Sequence, residues 1–169
     1  MSEDVIAAIK AIKILGIKVR FNNDICKIYG KGINGYKYRK NLIINSQNSG
    51  TLSRIILGLL INSPYPIKII GDNSLSKRDF KRISDPLSKF GATFKLKNNK
   101  NLPLLITGSS NLKPIKYFEK KGSAQCKSAV ILGAMRTDGT TYIKARKSRN
   151  HTEIFCKNLK LPIKVQSKK

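Results

Sequence analysis

Two stretches of this chain fit only a helix enclosed on nearly every side. One is 51–61, Thr-Leu-Ser-Arg-Ile-Ile-Leu-Gly-Leu-Leu-Ile, and the other is 122–135, Gly-Ser-Ala-Gln-Cys-Lys-Ser-Ala-Val-Ile-Leu-Gly-Ala-Met. Their small and apolar residues leave no broad polar stripe for water, so other elements must cover them. Gly58 and Gly133 sit at equivalent points of the two, and Gly16 precedes Gly91 by the same interval. A fixed interval between like elements is the signature of an internal repeat.

The segments between these helices follow one order. Val5, Ile6, Ile9, Ile12 and Leu15 recur at helical spacing after Ser2-Glu3-Asp4, and Gly16 ends that helix. Strands are expected over 17–21 and 25–29, joined by the turn-forming Asn22-Asn23-Asp24, and a further short strand over 41–44. After the first buried helix, two prolines in 62–66 break the chain. A strand follows over 67–70, then a turn over 71–74 and a helix whose face is Phe80, Ile83, Leu87 and Phe90, with Pro86 expected to kink or split it. Strands over 92–96 and 104–107 close the unit. The order then restarts with the helix from Gly122, a strand over 141–145, an amphipathic helix through Ile154, Phe155 and Leu159, and a last strand over 163–165. The expected fold is α/β, built of βαβαββ-like units over about 1–46, 47–121 and 122–169. The first begins late and the last stops early, so the chain reads as cut at both ends.

The hydrophobic content of 40% fits a globular protein. No apolar run approaches the roughly 18 residues that cross a bilayer, and Met1-Ser2-Glu3-Asp4 lacks a basic signal-peptide start. The reading is therefore soluble and cytoplasmic, with no membrane partner. Three scattered cysteines, Cys26, Cys126 and Cys156, and the single His151 support neither a disulfide framework nor a metal site. Cys126, on an apolar segment, reads as a buried small residue, and His151 and Glu153 read as surface residues of the last helix. A net charge of +25 draws anions, which makes a basic nucleic-acid-binding domain the alternative reading. The lysines are spread along the chain with no nucleic-acid motif, so small anionic substrates are the favoured partners.

Three loops at helix N-termini gather the chemistry that binds such anions. They are Asn48-Ser49-Gly50-Thr51 with Arg54; Gly71-Asp72-Asn73-Ser74-Leu75-Ser76-Lys77-Arg78; and Gly122-Ser123-Ala124-Gln125, followed later by Ser148-Arg149. Glycines, hydroxyls, an amide and arginines suit phosphate and carboxylate groups. Read singly, Gly50 and Gly122 permit tight turns and Ser123 is a helix cap. No nucleophile-and-base set is present.

Taken in order, these motifs resemble those of the EPSP synthase family. Asn48-Ser49-Gly50-Thr51 with Arg54 is similar to its Asn-Ala-Gly-Thr-x-x-Arg loop, and 71–78 to its Gly-Asp-x-Ser-Leu-x-x-Arg-Pro segment, with Asp79 in place of the proline. Ser123 to Ala129 resembles the Ser-Ala-Gln-Val-Lys-Ser-Ala form of one branch, and Arg149 to Glu153 that branch's Arg-Asp-His-Thr-Glu. A related carboxyvinyltransferase acting on UDP-N-acetylglucosamine carries a cysteine in a glycine-rich loop, and 71–82 has none.

The resemblance implies helices packed inside and sheets outside, and a shikimate-pathway activity that needs no metal or organic cofactor. That activity transfers the enolpyruvyl group of phosphoenolpyruvate to the 5-hydroxyl of shikimate 3-phosphate. By motif position it implies that Ser123, Ala124, Gln125, Ser148 and Arg149 hold shikimate 3-phosphate, and that Gly50, Arg78 and Gln125 line the phosphoenolpyruvate site. It assigns no catalytic residue to this chain. The family's catalytic acids and remaining basic ligands belong to a second domain, so a chain supplying that domain is an expected partner and this chain alone is expected to be inactive.

Overall fold

The structure, a computed structural model, describes residues 1–23 and 25–166. Its elements in order are α1 (Glu3–Ile14), β1 (Lys18–Asn22), β2 (Ile25–Tyr29), β3 (Leu42–Asn45), α2 (Gly50–Leu60), β4 (Ile67–Ile70), α3 (Asn73–Ser76), α4 (Lys81–Ser88), β5 (Thr93–Lys97), β6 (Asn101–Thr107), β7 (Lys116–Glu119), α5 (Ala124–Ala134), β8 (Tyr142–Ala145) and α6 (His151–Asn158). Of the turn expected between the first two strands, Asn22 ends β1, Asn23 takes a left-handed φ of 51°, and Asp24 lies outside the described residues.

The middle of the chain forms one four-stranded sheet in the order β3-β4-β6-β5. β3 and β4 are parallel, with Leu42 beside Ile67, and the other two neighbours are antiparallel. Alternation decides which face is inward: Leu42, Ile44, Ile67, Ile69, Leu102, Leu104 and Ile106 are all buried, while Ile43 and Lys68 face out. The inner face meets α2, α4 and α5, whose Leu57, Leu60, Leu87, Ala129 and Val130, with Phe90 just beyond α4, share the same apolar core. Helices thus lie inside and sheets outside, as expected.

α2 and α5 touch at backbone distance. A Cβ on Gly58 would come within 2.1 Å of the Ala129 carbonyl oxygen, so only glycine allows this approach. Gly133 instead faces side chains, with Ile61, Leu87 and Phe90 at 3.2 to 3.3 Å from a Cβ placed there. Arg136, just beyond α5, clips the 33–38 loop to the end of α2. It donates to the carbonyls of Leu59 and Ile33 and to Tyr38 Oη, and lies over the Tyr36 ring.

Sheet pairing sets β3 beside β4 and β7 beside β8, so a strand precedes each of the two buried helices. From β3 the order is β3-α2-β4-α3-α4-β5-β6; α1, β1 and β2 match α4, β5 and β6, and β7, α5, β8 and α6 match β3, α2, β4 and α4. Several local expectations need correction. β7 was not anticipated: its four residues show no clear alternation and are strand only because β8 lies beside them. Residues 163–165 form no strand. The turn at 71–74 continues into the one-turn helix α3, capped by Asp72. Pro86 neither ends nor divides α4, which runs on to Ser88. The side chain of Ser2, which the sequence offers as a cap for the first helix, makes no cap bond to α1.

Candidate functional site

Because β3 and β4 run parallel, the loops that leave them emerge on one side. They are stitched together there: Ser46 N–H donates to the Ile70 carbonyl (2.9 Å), Asp72 N–H to the Gln47 carbonyl (2.8 Å), and Asn48 Nδ2 to Asp72 Oδ2 (2.5 Å). Ser49 Oγ caps α2 by accepting from Leu52 N–H at 3.2 Å, and Asp72 Oδ1 caps α3 by accepting from Leu75 N–H at 2.7 Å. The Asn48 and Leu75 donors hold the Asp72 carboxyl below its ordinary pKa, and the Arg78 charge adds to this.

Gly50 is the first residue of α2, and two arginines close on it. A Cβ there would stand 2.8 Å from Arg78 Nη1 and 3.9 Å from Arg54 Nη1. The missing side chain is what lets the Arg78 guanidinium approach the helix end. Arg54, one turn into α2, is half-buried, lies 5.6 Å over the Phe80 ring, and donates through Nη1 to Gln125 Oε1 at 2.7 Å. Gln125 Nε2 donates in turn to Thr51 Oγ1 at 3.0 Å. Burial lowers the Arg54 pKa from its ordinary value; Cys126 and Asp79 oppose this, and the neighbouring charges of Arg82 and Arg78 act in the same direction as burial. Among the described residues the one ion pair is Lys127 with Glu153, so none of these arginines has a carboxylate at ion-pair distance. Amides of a helix start, its positive dipole end and unpaired guanidinium groups converge here, which is a place for a carboxylate or phosphate.

The start of α5 is built differently. β7 and β8 are also parallel, and their loops also lie together: Arg146 N–H donates to the Glu119 carbonyl at 3.1 Å, and a Cβ on Gly122 (φ 69°) would be 3.2 Å from the Lys147 carbonyl oxygen. The buried Glu119 carboxylate accepts from Ser123 N–H at 2.7 Å and from Lys121 N–H at 3.2 Å. Ser123 caps α5 through Cys126 N–H at 3.3 Å. Further along, α6 is tied to α5 by Lys127 Nζ to Glu153 Oε1 (2.5 Å) and by the Ser128 and Thr152 hydroxyls (2.7 Å). Glu153 is therefore not a solvated surface residue, contrary to expectation, whereas His151 is exposed and Cys126 is buried.

Gly50, Arg78 and Gln125 fall within one network through Arg54 and Thr51. Ser123, Ala124 and Gln125 are consecutive at the α5 start. Ser148 lies in the loop packed against Gly122, and its buried Oγ has no hydrogen-bond partner. Arg149 is exposed and joins none of these contacts. Sequence reasoning placed Thr51 and Arg54 in an anion-binding loop without giving either a substrate, and it gave Arg82 and Glu119 no role. Arg54 was legible because it follows Gly50 by one helical turn and so shares its face. Glu119 was not, because β7 was not recognised. Among the described residues no group of three His, Cys, Asp or Glu side chains is placed to hold a metal, and no helix is long and apolar enough to cross a membrane.

Comparison with known proteins bears on all of this geometry. A sequence model of the family described as EPSP synthase (3-phosphoshikimate 1-carboxyvinyltransferase) matches residues 1–169. The 3-phosphoshikimate 1-carboxyvinyltransferase of Streptococcus agalactiae is 43% identical over 153 residues, covering 89% of this chain and 36% of the relative. That of Leuconostoc mesenteroides is 38% identical over 154 residues, covering 90% and 35%. A solved structure of EPSP synthase from Acinetobacter baumannii superposes with a TM-score of 0.91 at 31% identity, over 98% of this chain and 38% of that one. The chain thus spans about a third of the length of the curated relatives it matches.

Proposed function

The chain belongs to the EPSP synthase family, and on that premise we propose that it forms one wall of an enolpyruvyl-transfer site. In this reading phosphoenolpyruvate lies over Gly50 with Arg78 and Gln125 as its partners, and shikimate 3-phosphate lies along the α5 start against Ser123, Ala124 and Gln125. Ser148 and Arg149 close on the shikimate side. The 5-hydroxyl oxygen adds to C2 of phosphoenolpyruvate while C3 takes a proton and the double bond is lost, giving a tetrahedral intermediate; removal of a proton from C3 then restores the double bond as the C2–O bond to phosphate breaks and phosphate leaves. The residues of this chain hold and align two anions; bringing both into one geometry is itself a large part of the barrier reduction. Proton transfer falls to acids and bases on a facing wall, supplied by further polypeptide, so the 169-residue chain binds substrates without turning them over.

The observation that carries the reading is the approach of Arg78 and Arg54 to Gly50, joined through Gln125 to the second helix start. Calorimetric titration tests it. Shikimate 3-phosphate is expected to saturate the chain, with about tenfold weaker binding to Ser123→Gly, since a hydrogen bond to a charged group is worth about 1.5 to 3 kcal/mol. Glycine at this cap costs helix stability only a few tenths of a kcal/mol, so the loss is not one of folding. Arg78→Met should weaken phosphoenolpyruvate by a similar factor at unchanged stability, because Arg78 is exposed. Absence of saturable binding by either substrate, or tight salt-resistant binding of nucleic acid instead, overturns the proposal.

A further inference from the structure

Gln125 faces two partners of different chemical kind. Arg54 is donor-only: its guanidinium has no lone pair to offer. Thr51 is indifferent, since a hydroxyl either donates or accepts. Thr51 alone therefore leaves the carboxamide free to flip, whereas Arg54 does not: turning Gln125 over would set Nε2–H against N–H at the present 2.7 Å contact. Arg54 is in turn fixed by its half-buried seat over Phe80 and by the space that Gly50 leaves.

We infer that Arg54 is a positioning residue that locks the Gln125 carboxamide with Oε1 toward Arg54 and Nε2 toward the first turn of α2. One Nε2 proton goes to Thr51 Oγ1, and the other remains for a ligand. The amide then offers an anion a donor and never a lone pair, which in the flipped state would repel it. This deepens the proposed function and rests on it for the ligand, but the amide orientation is a property of the unliganded chain.

The test uses the full chain. In nitrogen-15 spectra without ligand, the Gln125 Nε2 protons should be resolved and show a nuclear Overhauser contact to the Thr51 methyl. Arg54→Met should lose that contact and weaken phosphoenolpyruvate about tenfold, while Arg54→Lys, which still donates, should keep the contact and stay within about threefold. Gln125→Glu should raise the thermal midpoint by pairing with Arg54 yet abolish phosphoenolpyruvate binding, and this gain should vanish in the Arg54→Met background. Persistence of the Thr51 contact in Arg54→Met, equal behaviour of the Met and Lys variants, or a lowered midpoint in Gln125→Glu overturns the inference. If Arg54→Met does not fold, the Gln125→Glu midpoint still decides. A wild-type chain that shows the contact but binds no phosphoenolpyruvate sinks the proposed function and leaves the positioning role standing.

Discussion

α2 and α5 begin alike and end up in opposite electrostatic settings. Each has a serine cap, an apolar body and a glycine at an equivalent point. Around the α2 start stand Arg54, Arg78 and Arg82, with no carboxylate at ion-pair distance. At the α5 start the Glu119 carboxylate already accepts the Ser123 and Lys121 amides, and α6 is bolted on through Lys127 and Glu153. A helix start favours an anion in either case. At α5 the protein supplies one from its own chain, and at α2 it adds cations instead. The local sequence signal is the same, and the neighbouring loops decide whether the helix start meets arginines or a carboxylate of the protein's own.

The glycines offer the largest way to separate the two helices. Gly58→Ala forces a methyl into the Ala129 carbonyl, and overpacking against backbone should cost about 3 kcal/mol. Gly133→Ala meets only side-chain ends at 3.2 Å or more, and the helix propensity gain of about 1 kcal/mol should leave it near neutral. Chemical denaturation of both variants checks this, and equal losses would mean that the two crossings are equivalent after all. Next in size is Glu119→Ala. It strips two amides of their acceptor, at about 2 kcal/mol, and should lower stability without weakening phosphoenolpyruvate at α2.

The smallest expected effect is in pH. Burial, with the nearby Cys126 and Glu119, pushes the Tyr117 hydroxyl up to about 12, against the pull of Arg82. The unfolded chain therefore loses this proton first. Stability from Tyr117 is whole below the ordinary tyrosine pKa of about 10 and declines as pH rises toward about 12. Asp72 has the opposite sign. Its depressed pKa gives a contribution present at neutral pH and lost as acid protonates the carboxylate. Ultraviolet titration of tyrosinate together with stability curves on either side of neutrality should therefore find the alkaline loss in Tyr117→Phe reduced and the acid loss in Asp72→Asn reduced. If the tyrosinate signal that Tyr117→Phe removes titrates near the ordinary value, the assigned burial of Tyr117 falls.

Much of the fold was legible because it rests on periodicity and on glycine. The alternation in β4 and the stripe Phe80, Ile83, Leu87 and Phe90 are local patterns that burial then confirms, and Phe80 and Phe90 are both fully buried. The ordered loop motifs brought out Gly50, Arg78, Ser123 and Gln125 as residues worth weighing together. Failures came where structure depends on distant partners. Residues 116–119 are a strand because β8 pairs with them, while 163–165, with the same kind of residues, have no such neighbour among the described elements. Glu153 sits on a helix whose pattern reads as surface, and it is held in by Lys127 of α5.

The amino-acid sequence by itself determined the repeat, the two enclosed helices and the supply of glycines and arginines beside their starts, because these follow from side-chain size, polarity and spacing along one element. Only the tertiary structure decided which helix end meets cations and which meets Glu119, and that Arg54 reaches across to Gln125. Those contacts join residues far apart in the chain, and their electrostatics depend on separations of a few ångströms that no local pattern encodes.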